Sequence, residues 1–264
     1  MTARAESSSN DRPPRPSIAA RTEFFERIRT EMGKTRGLFS ARPAARPPRP
    51  AEAIETVQRQ IAERWRETAQ RFQREFERVG GVFHRAATIK DVPDVIGGIA
   101  RERKASRVVT WNPAALGPDL GPDLVARGLC VDVVAGGNPG DVERARVRGV
   151  SAVADLGLTG VDVAIAETGT LVLRSGAGRP RSTSLLPPTH VAVFDPTALI
   201  ESIAQLGLLL EAWHVPAPAD GGWGGMITLI TGPSRTADIE LTLTRGVHGP
   251  KEVHAVFVEA PFRG

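Results

Sequence analysis

The spacing of apolar residues changes twice along this chain of 264 residues, and those changes divide it. From 52 to 79 the large apolar positions are Ile54, Val57, Ile61, Trp65, Phe72 and Phe76, separated by three or four residues or by sums of these. That spacing puts all six on one stripe of a helix, which Gly80-Gly81 ends. Packing on its own body and docking to another chain both account for the arginine-rich outer face. A shorter stripe of Phe24, Phe25, Ile28 and Met32 within 22–36 predicts a short amphipathic helix. Residues 1–17 are nearly devoid of apolar side chains and are expected to be disordered. Pro43, Pro47, Pro48 and Pro50 predict a stiff, extended linker.

Beyond Gly81 short β-rich runs alternate with helical ones. Strands are expected at 82–86, 107–111 and 129–134, with helices over 91–103, 122–127 and 141–148. Asp91 and Asp141 stand at capping positions, and Pro93 is tolerated in a first turn. Further strands are expected at 151–154, 189–194, 226–231 and 253–258, with a helix over 196–209. Residues 232–240 read as a turn able to open a helical segment. Such alternation predicts an α/β fold, a mostly parallel sheet covered by helices. The organisation is therefore a basic region over 1–50 with one helix and a proline-rich linker, a helix over 51–80, and a domain over 81–264.

Composition narrows the function classes. A hydrophobic fraction of 41% and a charged fraction of 24% are those of an ordinary globular protein. The pI of about 9.9 raises nucleic acid as a partner. Residues 1–80, however, carry 17 of the 34 basic and 11 of the 30 acidic side chains, so the remainder is slightly acidic. The basicity belongs to the N-terminal region, which disfavours nucleic-acid binding by the core. No run approaches the roughly 20 apolar residues of a membrane span, and the N-terminus lacks the apolar core of a signal peptide. One cysteine, Cys130, excludes an internal disulfide and any cluster or zinc site built on several cysteines of this chain. It falls in a strand that reads as buried. A cytoplasmic setting is expected.

Candidate chemistry concentrates between 164 and 250. Glu167 stands in an apolar context beside Thr168-Gly169-Thr170, a sharp reversal between two strands. A carboxylate there needs a hydrogen bond, a partner or a solvent-lined cleft. The run Ser175-Gly176-Ala177-Gly178-Arg179-Pro180-Arg181-Ser182 has the makings of an anion cradle, with glycines for close backbone approach and arginines for charge. Gly232-Pro233-Ser234-Arg235-Thr236-Ala237-Asp238-Ile239-Glu240 is a second candidate, exposing the Ser234 and Thr236 hydroxyls. His190 and His248 lie near these loops. There is no Gly-x-Ser-x-Gly elbow, no His-Glu-x-x-His helix and no Cys/His grid, so no metal site is expected.

Four of these segments, in order, are similar to the motifs of the LUD domain family. They are Gly157–Thr170, Ser182–Pro187 with His190, Gly232–Glu240, and Gly246-Val247-His248-Gly249-Pro250. The likeness covers roughly residues 82–260, while the arginine-rich N-terminal tail and the helix 52–79 fall outside it. The resemblance implies a three-layer α/β/α fold of the kind shared by ribose-5-phosphate isomerase, glucosamine-6-phosphate deaminase and coenzyme A transferases. It also implies a part in oxidising L-lactate to pyruvate, with two partner subunits carrying the iron–sulfur clusters and no cofactor on this chain.

Two functions follow as expectations. In the first, the chain is a cluster-free subunit of a lactate-oxidising system and binds substrate or partner subunits. Glu167, His190 and His248 are then the catalytic candidates, and Arg181 pairs with a small carboxylate substrate. Thr168, Gly169, Thr170, Ser182, Gly232, Ser234, Thr236, Asp238 and Glu240 complete the substrate or anion site. In the second, it is a free-standing enzyme on a phosphorylated sugar or an acyl–coenzyme A, with Glu167 as base or nucleophile. A scaffold that binds a small carboxylate without catalysis is a third reading.

Overall fold

The computed structural model of the chain describes residues 18–34, 50–137, 140–213, 226–237 and 243–262. The expectations for residues 1–17, most of the proline linker, Asp238 and Glu240 fall outside these residues. The chain divides into two compact units, Met1–Arg46 and Pro47–Gly264. In the first, helix α1 (Ile18–Lys34) carries the expected stripe, with Phe24, Phe25, Ile28 and Met32 all exposed.

The second unit is built on a parallel sheet of six strands. They are β1 (Val82–Ala86), β2 (Arg107–Thr110), β3 (Cys130–Val133), β4 (Leu156–Gly160), β7 (Thr189–Phe194) and β12 (Glu252–Val258), in the order β1-β12-β7-β4-β2-β3. Strand β7 shows why such a sheet lies between two layers. Val191 and Val193 face one apolar cluster, whereas Ala192 and Phe194 face another. The first cluster is covered by α3 (Val92–Arg103), α4 (Pro113–Leu116) and α5 (Gly121–Ala126), through Ile96, Leu116 and Leu124. The opposite face carries α2 (Pro50–Arg78) and, towards β3, α6 (Asp141–Val153) through Val147. The α/β/α expectation is met.

Helix α2 packs on its own body, with Ile61, Ala69, Phe72 and Phe76 buried on the sheet. Phe72 meets Phe76 and Phe194 at centroid distances of 5.3 Å. The helix kinks at Arg64 (φ −129°, ψ 29°), whose guanidinium reaches Glu201 at 2.7 Å.

A second sheet shares this face. It is made of β5 (Val163–Ile165), β6 (Thr170–Arg174), β8 (Leu199–Ile200) and β9 (Ile227–Ile230), in the order β8-β5-β6-β9. Strands β5 and β6 form the expected hairpin. Several local expectations are corrected. Residues 151–153 end helix α6, and the strand begins at Leu156. The helix expected over 196–209 is a 3-10 turn at Pro196–Ala198, then β8, then α8 (Ile203–Trp213), because Asp195 closes the turn by accepting from the Thr197 amide. The segment after Gly232 opens no helix. It forms β10 (Arg235–Ala237), antiparallel to β11 (Leu243–Arg245). Cys130 is exposed, since β3 is an edge strand. Helix α7 (Ser182–Leu185) completes the fold. Among the described residues, no helix is long and apolar enough to cross a membrane.

Candidate functional site

The sheet has an amino edge and a carboxyl edge, and the candidate residues divide between them. Strands β1, β7 and β12 start together, so the segments preceding them meet at the amino edge. The Lys251 amide donates to the Pro188 carbonyl (2.8 Å), the Ser234 amide to that of Pro250 (2.9 Å), and the Gly246 amide to that of Ser234 (3.1 Å). Arg235 donates to the Val79 carbonyl at the end of α2 (2.7 Å). Three motifs far apart in sequence are thus brought together. Their polar groups, however, are largely spent on one another.

His190 is the clearest case. It is 0% exposed, and its Nε2 lies 2.8 Å from the Thr159 hydroxyl. Burial pushes its pKa down to about 3. The general-base expectation is therefore corrected: a neutral imidazole sealed in the sheet can neither reach a substrate nor take up a proton near neutrality. His190 Nδ1 and the Thr183 hydroxyl, both fully buried, have no hydrogen-bond partner among the described residues. Gly157, the register neighbour of His190, explains how tightly α7 lies over β4. A Cβ there would collide with the Thr183 carbonyl oxygen. His248 is exposed on the loop before β12.

The hairpin tip continues this junction. Thr168, Thr170 and Thr231 form a chain of hydroxyls at 2.7 and 2.8 Å. Gly169 has φ +61°, and a side chain there would strike the backbone of Phe76. A side chain at Gly232 would strike the Val79 carbonyl. Glu167 is exposed, and its carboxylate accepts from the Ile203 amide (3.0 Å), the first of α8. A carboxylate at a helix N-terminus satisfies an otherwise unpaired donor and the helix dipole. That accounts for an acid in an apolar context. Thr236 pairs through its backbone with Thr244.

Glu167 and the arginine loop, close in sequence, are separated by the length of β6. Its five residues at about 3.3 Å each put roughly 17 Å between them. The loop belongs to the carboxyl edge, where β2 is flanked by β3 and β4 and the chain order reverses. In α/β sheets such a reversal opens a crevice used for ligands. Here the Asn112 amide donates to the Gly178 carbonyl (3.0 Å), and the Trp111 indole to that of Pro180 (3.3 Å). Asp162, its side chain 6% exposed, binds Arg174 and Arg179, both at 2.8 Å, and takes the Arg174 amide at 2.7 Å.

Two chambers flank this network. The less open of the two, about 140 Å³ and termed the closed chamber by contrast, lies on the α8 side, lined by Asp162, Arg174, Thr197, Gln205, Leu208 and Trp213 among others. Arg174 stacks over Trp213 with 4.2 Å to the ring centroid. Gln205 turns its carbonyl to the Glu201 and Ser202 amides (2.7 and 3.3 Å), which leaves its NH₂ for the chamber. An open chamber of about 260 Å³ lies on the α6 side, between the glycine loop and the first turns of the helix. Of the residues expected in the anion site, Ser182 lines it, and its hydroxyl accepts from Ser151 (3.2 Å). Arg181 is exposed at the start of α7. Asp162, Arg174 and Gln205 were missed in the sequence. Among the described residues, no group of three or more His, Cys, Asp or Glu is placed to hold a metal.

The family model of the LUD domain matches residues 69–258. The chain belongs to the LUD domain family. The match begins within α2, at the half whose Ala69, Phe72 and Phe76 are buried. Among the relatives of this LUD domain is Lactate utilization protein C of Halalkalibacterium halodurans, 34% identical over 164 residues, or 62% of this chain and 67% of the relative. The protein of that name from Macrococcus caseolyticus is 31% identical over 172 residues, or 65% and 70%. A solved duf162 family protein from Deinococcus radiodurans is similar over 73% of this chain and 96% of its own, with 20% identity and a TM-score of 0.49.

Proposed function

We propose that this LUD-domain chain is a cluster-free component of a system that oxidises L-lactate to pyruvate, and that it holds the small carboxylate in the closed chamber. The name borne by its relatives supports the pathway. The observation that carries the site is the closed chamber itself. Its lining combines the Arg174 guanidinium, held by Asp162, and the Gln205 amide with the apolar side chains of Leu208 and Leu209. That pairing suits a molecule with a carboxylate at one end and a methyl group at the other. At about 140 Å³ the chamber is small beside the roughly 300–1,000 Å³ of pockets for drug-sized ligands.

Oxidation of lactate removes two electrons and two protons. With one cysteine, this chain supplies no four-cysteine cluster, so on this reading the electrons leave through partner subunits. Titration of the purified chain with L-lactate and pyruvate tests the site. Binding is expected, and Leu208→Trp, which fills the chamber from a half-buried position on α8, should abolish it. Failure of both ligands to bind the parent chain, or equal binding by the variant, refutes the assignment.

A further inference from the structure

The open chamber plays no part in holding that carboxylate. Its floor is apolar: Val134 and Val147 are buried there, and Pro180 borders it. Its charged lining is Arg144, Arg148 and Glu143. Arg144 and Arg148 stand four residues apart on α6, hence on one face, and both line the chamber. Their neighbour Arg146 is consumed by a two-pronged contact with Glu143, at 2.8 Å twice, and by the Val133 carbonyl. That contact holds the Glu143 carboxyl below its ordinary pKa, so its charge is already matched. Among the described residues Arg148 makes no ion pair, and Arg144 has only Asp141 at 3.7 Å. Because Ser182 accepts from Ser151, its own hydroxyl hydrogen remains available to donate.

Two guanidinium groups without close partners, one hydroxyl and a glycine-lined wall above an apolar floor make a site for a double negative charge joined to an apolar body. We infer that the open chamber binds a small molecule bearing a phosphate group on an apolar moiety, at a site separate from the closed chamber. Phosphate takes planar, two-pronged contacts from arginine, and a dianion matches two of them. The apolar moiety lies on Val134, Val147 and Pro180.

Calorimetric titration of the full chain with phenyl phosphate, inorganic phosphate and benzoate at low ionic strength tests this. Phenyl phosphate should bind more tightly than either of the others, and added salt should weaken it. The double variant Arg144→Gln/Arg148→Gln, at exposed positions, should weaken it at least tenfold while L-lactate binding stays unchanged. The inference is overturned by no phenyl phosphate binding, by benzoate or inorganic phosphate binding as tightly, or by a double variant equal to the parent. Since the probe for the closed chamber is lactate, failure of one site is read separately from failure of the other.

Discussion

The amino edge and the carboxyl edge of the same sheet use polar residues in opposite ways. At the amino edge the Ser182–His190, Gly232–Arg235 and Gly246–Lys251 segments interlock through backbone bonds, and His190 is sealed among them. At the carboxyl edge Asp162 gathers two arginines, yet cavities remain on both sides of the network. A dense polar and glycine motif therefore marks close packing as readily as it marks chemistry. What separates the two in this fold is whether open volume remains beside the polar groups.

The strongest test of that contrast is Gly157→Ala. If the amino edge is a packed junction, the added methyl must displace the Thr183 backbone, which no rotamer change relieves. A loss of about 3 kcal/mol or more is expected, read from urea unfolding of parent and variant. A variant within about 1 kcal/mol of the parent would show that α7 yields easily and that the junction is loose. Arg144→Gln on the open chamber serves as the opposite case, with a change of less than about 0.5 kcal/mol.

Much of the fold was legible before the structure. The stripe from Ile54 to Phe76 and the alternation after Gly81 follow from periods of about 3.6 and 2, which local burial enforces. Elsewhere tertiary contacts override a local pattern. Residues 196–209 carry a helical pattern, but Asp195 draws the Thr197 amide into a turn and two residues join β5. The site was legible only in part. Ser182 and the glycine loop, which line the open chamber, stand out because glycines and arginines cluster in sequence. Asp162 and Arg174 meet across the expected β5–β6 hairpin, whereas Gln205 joins them only once α8 has packed. The same limit misassigned His190: its place beside hydroxyl residues in sequence resembles a site, and only the sheet shows that it is enclosed.

That enclosure has a pH signature of intermediate size. The folded protein keeps His190 neutral down to about pH 3, whereas an ordinary imidazole in the unfolded chain takes up its proton below about 6.5. The unfolded state then binds more protons, so stability is full above the unfolded value and falls as the pH drops from there toward 3. The slope is about 1.4 kcal/mol per pH unit. His84 and His254, 3.0 Å apart, are also lowered by burial and act in the same direction. In His190→Leu the slope should be shallower by the contribution of one proton between about pH 6 and 4. Parallel stability curves for parent and variant would mean that His190 is wetter than its packing indicates.

A smaller effect belongs to Glu167, and it separates the two edges most cleanly. As the acceptor for the first amide of α8, Glu167 contributes what a capping carboxylate does, about 1 kcal/mol. Glu167→Ala should lower stability by that amount. Glu167→Gln keeps an acceptor oxygen and should recover part of the loss. Because Glu167 stands at the far end of β6 from Arg174, neither substitution should change L-lactate affinity by more than about twofold. A large loss of lactate binding in Glu167→Gln, with stability intact, would bring the hairpin tip into the site and dissolve the distinction between a packed edge and a working one.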